Sequence, residues 1–255
     1  MATSSVPALA RAMRIVDLLA GEGQPGLGVT EIANRTGIAK STTALLCTAL
    51  EEEGMLRRHG NHYRLGRRFL GLAGDYLATV DQLGDFYDEV RRQPLMSTQA
   101  ARLALLDGTD VIYLARYEVG HTRRLSGAIG DRFPASITAT GKAMLSTLPP
   151  GAVEDRYRGK LFPRFTERSI QSLPELEQDL ALVRERGYAL DDEETNLGQV
   201  CVALPVVNVP GEVAQLSVST TVSKELFTQT PVEVFVAELR QVVEIFENPL
   251  ADRSF

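Results

Sequence analysis

Cysteine, histidine and long apolar runs are all scarce in this chain. Two cysteines, Cys47 and Cys201, stand far apart among 255 residues. That spacing argues against a disulfide framework and against a zinc site, and it points to a reducing cytoplasm. Histidine occurs three times, as His59, His62 and His121. There is no His-Glu-x-x-His and no Gly-x-Ser-x-Gly, so metal-assisted hydrolysis and the serine-hydrolase elbow have no sequence support. Gly141-Lys142 lacks the first glycine and the Ser/Thr of a phosphate loop, because Ser136 and Ala143 stand there. No apolar run approaches the roughly 18 residues that cross a bilayer. Residues 1–7 lack the charged-then-apolar order of a signal peptide. The expectation is a cytoplasmic protein with no cofactor, no metal and no membrane partner.

What is present is an ordinary globular composition, 44% hydrophobic and 24% charged, enough to bury a core unaided. Charge is unevenly spread. Residues 1–78 carry nine Lys/Arg against seven Asp/Glu, and the remainder eighteen against twenty-six. A slightly basic front joined to an acidic back fits a nucleic-acid reader attached to something else.

Residues 9–20 place Leu9, Met13, Val16 and Leu19 at helical spacing. A Gly/Pro-rich turn follows over 21–28. Thr30 is placed to cap a short helix over 31–35, which Gly37 ends. Ser41 opens a second helix that runs to Glu53, with Gly54 at its stop. Two short helices around a glycine turn form a helix-turn-helix pattern. Residues 56–66 then read as a hairpin with 59–62 at its tip, in the position of a wing. Residues 67–82 read as an amphipathic linker helix with Phe69, Leu70, Leu72, Ala73, Tyr76 and Leu77 on its apolar side.

On the second helix, Thr43, Leu46, Cys47 and Leu50 form the inward stripe. Lys40, Ser41, Thr42, Ala44, Leu45 and Thr48 are left outward or near the helix start. There they can reach phosphates or base edges of a double-stranded operator. The hairpin adds Arg57, Arg58, His59, His62 and Arg64, with Arg67 and Arg68 behind, which suits a phosphate surface. Such a helix pair can also serve only to pack a core, and an Arg-rich hairpin can be a solvated face. Helix pair, wing and arginines in this order favour DNA. Leu45, off the apolar stripe, is expected to be exposed and to meet a thymine methyl in the major groove.

After residue 83 the pattern changes. Two apolar runs over 101–119 flank Asp107-Gly108, a hairpin signal. A strand is expected over 123–128 and a helix over 140–148. Ser172-x-x-Glu175 is a capping box that opens a helix ending near Gly187. Strands follow at 188–191, 200–207 and 213–220, then a helix over 231–246. Strands and helices mix without βαβ alternation, so the expected class is α+β.

These residues carry a resemblance. The stretch LARAMRIVDLLA…VTEIANRTGIAKSTTALLCTALEEEGMLRRHGNHYRLGRRFLGLA is similar to the N-terminal domain of the IclR family of bacterial transcriptional regulators. GDRFPASITATGKAMLSTL resembles the family's Thr-Ala-x-Gly-Lys-Ala segment. RERGYALDDEETNLGQVCVALPVVNVPGEVAQLSVS resembles its Asp-x-Glu-Glu…Gly-x-x-Cys-x-Ala-x-Pro-Val segment. The resemblance implies a winged helix-turn-helix domain over 1–66, a linker helix over 67–82 that helps dimerise, and a GAF-like effector-binding domain over 83–255. It implies a homodimer or dimer of dimers that binds an operator and represses or activates. It implies an effector pocket at Ala139, Thr140, Gly141, Asp191, Cys201, Ser217 and Ser219, with Leu125 and Phe133 as apolar walls. Where the family commonly has an arginine in the recognition helix, this chain has Leu45. That departure puts the usual operator sequence in doubt, not the DNA binding.

Without the resemblance, residues 191–194 are an acidic run that suits either a metal or a solvated strand end. Cys201 suits a small buried hydrophobe or a pocket wall. Ser217 and Ser219 alternate, so both face one side of a strand. Two hydroxyls and the backbone N–H groups near Gly141 would suit a small organic acid. The competing class, a small-molecule enzyme using the acidic domain, would rest on Cys201 and Asp191 with no histidine near in sequence.

Overall fold

The computed structural model describes residues 6–22, 26–78, 83–118, 128–208 and 211–247. Contacts divide the chain into two units, Met1–Val80 and Asp81–Phe255.

The first unit contains α1 (Pro7–Ala20), β1 (Leu27–Gly28), α2 (Val29–Thr36), α3 (Lys40–Glu52), β2 (Leu56–His59), β3 (His62–Leu65) and α4 (Arg68–Leu77). Its core gathers Ile15, Leu19, Leu27, Ile32, Ile38, Cys47, Leu56 and Tyr63. Three local expectations need correction. The buried side of α1 is Ile15, Val16 and Leu19, while Leu9 and Met13 are exposed. The C-terminal half of the expected stripe, Val16 and Leu19, is buried, with Ile15 added beside it. Thr30 does not cap α2, whose N-cap is Gly28 with no side-chain bond. The stretch read as turn ends in a strand, because Leu27 pairs with Tyr63 and Gly28 with His62, giving the sheet order β1-β3-β2. The expected linker helix is α4, which ends at Leu77, and residues 79–82 lie outside the described ones. None of its side chains is buried, and Leu70, Leu72 and Tyr76 are exposed.

The second unit contains α5 (Leu83–Arg92), a 3-10 turn at Met96–Thr98, β4 (Ala100–Asp107), β5 (Asp110–Tyr117), β6 (Arg132–Pro134), α6 (Ala139–Leu145), α7 (Ala152–Tyr157), α8 (Leu173–Arg186), β7 (Ala189–Asp192), β8 (Gln199–Val206), β9 (Leu216–Ser223), α9 (Lys224–Gln229) and α10 (Val232–Glu247). The strands form one antiparallel sheet in the order β6-β5-β4-β9-β8-β7. This is the expected α+β, GAF-like arrangement. The expected strand over 123–128, His121 and Leu125 fall outside the described residues, apart from Ala128.

Local chemistry explains the corners. Gly108 turns the β4–β5 hairpin at φ +65°, a region open to glycine. Ser172 caps α8 by accepting from the Glu175 N–H, while the Glu175 carboxylate accepts from the Gln171 N–H at 3.0 Å. Alternation then assigns the faces of the sheet. Cys201 and Ala203 pack with Ala139 and Ala143 of α6 and Val183 of α8. Val200, Val202 and Leu204 point the other way, towards α10, which also packs on α5.

Gly141 in α6 presses on the segment before it. A β-carbon there would stand 2.3 Å from Ala135 Cα and 2.3 Å from its carbonyl oxygen. Both contacts are backbone, so no rotamer relieves them. Gly141→Ala is expected to destabilise the second unit by about 3 kcal/mol, read as an earlier urea transition by far-UV circular dichroism. An unchanged midpoint would show that α6 can move off Ala135.

Candidate functional site

Two surfaces gather the chemistry-bearing residues, one in each unit. In the first, Gly37 at φ +69° ends α2 and turns the chain into α3. Thr43 and Cys47 are fully buried, and Thr43 Oγ1 donates to the Ala39 carbonyl at 3.2 Å. Burying that side of α3 leaves Lys40, Ser41, Leu45 and Thr48 exposed and Thr42 and Ala44 half-buried. Leu45 is 73% exposed, as its position off the stripe requires.

The hairpin register sorts the basic side chains. Arg57 stands opposite Arg64, and His59 opposite His62. Alternation puts these four on one face of the ribbon. Arg58 stands opposite buried Tyr63, with its guanidinium 5.9 Å from the ring centroid and its Nε donating to the Gly60 carbonyl at 2.9 Å. Arg58 therefore braces the hairpin from the side opposite Arg57. Arg68 ion-pairs with Glu53 at 2.8 Å and donates to its carbonyl, tying the start of α4 to the end of α3. Like charges directly opposed across two strands are unfavourable by themselves. The Arg57–Arg64 pair is the kind of arrangement that a polyanion stabilises.

In the second unit, the α6-side face of the sheet borders a cleft lined by Arg102, Tyr113, Phe133, Thr138, Ala139, Thr140, Asp191, Thr195, Asn196, Gln199, Cys201, Ser219 and Thr221. Its enclosed space is about 30 Å³, room for a water or two as it stands, so a larger ligand enters only as the lining side chains give way. The register explains the convergence: Asp191 pairs with Cys201, Cys201 with Thr221, and Ser219 with Arg102. Tyr113 and Phe133 form an aromatic wall, their rings 5.5 Å apart.

Of the expected pocket residues, Phe133, Ala139, Thr140, Asp191, Cys201 and Ser219 line this cleft. Ser217 does not. Its hydroxyl is buried and donates to the Leu204 carbonyl at 2.9 Å, so the lining hydroxyls of β9 are Ser219 and Thr221. Gly141 does not line it either, being spent on the approach to Ala135. Sequence reading passed over Arg102, Tyr113, Thr138, Thr195, Asn196, Gln199 and Thr221. Two signals were available. Thr221 continues the alternation of Ser217 and Ser219, and Arg102 interrupts an otherwise apolar strand.

Electrostatics divide the cleft. Asp191 Oδ1 accepts from the backbone N–H groups of Glu194 at 2.8 Å and Thr195 at 3.1 Å, and Oδ2 accepts from the Thr195 hydroxyl. The Cys201 thiol also lies within reach of this carboxylate. Burial pushes the Asp191 carboxyl up, against the pull of Thr195 and Lys142. Burial likewise pushes the Cys201 thiol up to about 12, and its sulfur lies 3.1 Å from Thr221 Oγ1. Thr140 Oγ1 is buried beside the Tyr113 hydroxyl.

The acidic run is the end of a strand and its loop, held by cations. Asp192 pairs with Arg168 at 3.0 Å and with Lys224. Glu193, at φ +64°, pairs with Arg168 at 2.8 Å. Glu194 pairs with buried Lys142, which also meets Asp179 at 2.9 Å. Among the described residues no cluster of three His, Cys, Asp or Glu side chains could hold a metal.

Comparison with known proteins accounts for both units. The sequence profile of the IclR helix-turn-helix domain matches residues 8–60, and that of the bacterial transcriptional regulator IclR C-terminal region matches residues 85–246. The chain is 29% identical over 228 residues to the transcriptional repressor IclR of Escherichia coli (strain K12), covering 88% of this chain and 83% of that one. It is 30% identical over 227 residues to the acetate operon repressor of Salmonella typhimurium, covering 87% and 82%. An IclR homolog from Microbacterium hydrocarbonoxydans, solved in complex with 4-hydroxybenzoate, shares the fold with a TM-score of 0.80 at 21% identity, covering 95% and 98%.

Glu194 links the cleft loop to pH. Burial pushes its carboxyl up to about 7, against the attraction of Lys142. The unfolded chain would lose this proton near the ordinary carboxylate value, so between about pH 4.5 and 7 the folded state holds it more tightly. The contribution of Glu194 to stability is therefore largest at the acid end and falls as pH rises through that window. Thermal melts across that window are expected to show the wild type losing stability relative to Glu194→Gln. The opposite slope would mean that Lys142 overrides desolvation and holds Glu194 charged.

Proposed function

The chain belongs to the IclR family of bacterial transcriptional regulators, and from that premise we propose that it binds a palindromic operator with affinity set by a small organic acid held in the cleft. Residues 1–66 read the operator, 67–82 join the units and assist dimerisation, and 83–255 hold the effector. The assembly is a homodimer or a dimer of dimers acting in the cytoplasm. Among the described residues no helix is long and apolar enough to cross a membrane. The exposed apolar residues Leu70, Leu72 and Tyr76 of α4 support self-association.

The observation that carries the DNA reading is the exposed side of α3, with Leu45 at its middle, next in sequence to a ribbon whose one face carries Arg57, His59, His62 and Arg64. A recognition helix presents base contacts and a wing presents phosphate contacts. The effector reading is supported by the small cleft with its aromatic wall and buried hydroxyls, and by the 4-hydroxybenzoate in the Microbacterium hydrocarbonoxydans relative. An enzyme built on Cys201 is disfavoured, since a thiol pushed up to about 12 supplies almost no thiolate at neutral pH.

The coupling is linkage. An effector that prefers one arrangement of the dimer changes the spacing of two recognition helices, and half-site spacing is a geometric requirement. A coupling of about 1–3 kcal/mol is typical.

Arg57→Ala is expected to weaken binding to a selected operator and to random DNA alike, and to reduce the slope of log affinity against log salt by about 1. Fluorescence anisotropy from low to moderate salt measures both. An unchanged slope would remove the wing from the phosphate surface. Leu45→Ala is expected to cost about 1 kcal/mol on the selected operator, with a matching loss when uracil replaces one thymine of the half-site in the wild-type complex. Equal affinity for every uracil-substituted half-site would reject the methyl contact.

A further inference from the structure

Arg102 is the cationic side chain among the residues that line the cleft. Its side chain is 4% exposed. It is the third residue of β4 and lines the cleft with Ser219 and Thr221. Its guanidinium stands 5.5 Å from the Tyr113 ring centroid, and one NH2 group reaches Thr221 Oγ1 at 3.4 Å. It forms an ion pair with Glu118, at 3.3 Å. That contact is long for a charge-assisted bond, which normally closes to about 2.7–2.9 Å.

Glu118 is shared. Its other oxygen makes a closer bond to Arg116, which is more exposed than Arg102. The Glu118 bond holds Arg116 above its ordinary pKa. Glu118 also borders a second groove with Thr98, Gln99, Leu197 and Gly198. One carboxylate thus serves two guanidiniums, and the poorer of its two bonds is the one inside the cleft.

We propose that Arg102 is the anion receptor of the cleft, and that an effector carboxylate binds it by exchanging with the Glu118 carboxylate, which stays with Arg116. This rests on the reading of the cleft as the effector site, and it specifies the ligand class. The exchange leaves every charge paired, so it avoids the penalty of stranding a buried ion. The guanidinium offers two parallel N–H donors to the incoming carboxylate. The body of the ligand lies against Tyr113 and Phe133. Its far end meets Thr140 Oγ1, which lies beside the Tyr113 hydroxyl, and the Asp191 carboxylate. Asp191 on β7 and Arg102 on β4 are separated by β8 and β9, roughly 14 Å between backbones at the usual strand spacing. With both side chains reaching inward, the span suits a short chain or one flat ring, which must displace lining side chains to enter, because the enclosed space is about 30 Å³. The ligand is a small carboxylic acid with a hydroxyl at the end away from the carboxylate.

The test is isothermal titration of the full-length protein with short-chain hydroxy acids, benzoate and the three hydroxybenzoates, each beside its primary amide. At least one acid should bind about tenfold or more tightly than its amide. Arg102→Met should bring that ratio to about one. Glu118→Gln should tighten acid binding several-fold, because the internal competitor loses its charge, and leave amide binding unchanged. Acids and amides binding alike, or an acid preference that survives in Arg102→Met, overturns the inference while leaving the effector reading intact. No binding by any acid or amide overturns both. If Arg102→Met does not fold, Glu118→Gln decides: acid binding that is unchanged or weaker overturns the exchange.

Discussion

Lys142 carries an ammonium that is almost wholly removed from water, and it meets Asp179 of α8 at 2.9 Å and Glu194 of the loop after β7. A buried ammonium without a partner would cost several kcal/mol, so α6, α8 and that loop must come together for the second unit to close. The consequence reaches the cleft. The loop that supplies Glu194 also supplies the N–H groups that hold Asp191. The helix that supplies Lys142 also supplies Ala139 and Thr140 to the cleft wall. Two carboxylates for one ammonium leave an excess of negative charge in a low-dielectric place. Desolvation then acts on the carboxylates, as the upward displacement of Glu194 records.

The first unit solves the opposite problem. Its core is apolar, with fully buried Thr43 bonded locally, and its charges are displayed. Arg57 and Arg64 face one another across the ribbon, and Arg68 on the next helix is held by Glu53. Arg58, near the Tyr63 ring and bonded to the Gly60 carbonyl, helps to fix the hairpin that presents Arg57.

What the sequence made legible follows from the range of the forces involved. Turn and cap chemistry is local, so Gly37, Gly54, Gly108, the Ser172–Glu175 box and Gly187 all do what their residue types predict. The helix-turn-helix and the stripe on α3 were readable for the same reason. Long-range choices were not. The strand at Leu27 exists only because β3 offers an edge, and packing on α1 adds Ile15 to Val16 and Leu19 while leaving Leu9 and Met13 exposed. On β9, alternation gave the correct face but not the stretch of strand beside the cleft. Ser217 lies against β8 and satisfies Leu204, while Thr221, two positions beyond Ser219, meets Arg102 and Cys201. Arg102 was passed over because a lone arginine in an apolar strand has no local signature. Its meaning comes from Glu118 across the hairpin and from Ser219 on β9.

The same geometry bears on how sensitive such a regulator can be. When an internal carboxylate already occupies the receptor, an incoming acid gains only the difference between its own contacts and those it displaces. Apparent affinity falls by the fraction of molecules in which the receptor is open. An intermediate affinity is useful here, because a regulator held saturated by trace ligand reports nothing about changing concentration. The longer bond to Arg102 and the closer bond to Arg116 place Glu118 where it can yield without being stranded. A coupling of about 1–3 kcal/mol between ligand and operator is then within reach of a cleft this small. It requires only that the exchange be somewhat easier in one arrangement of the dimer than in the other.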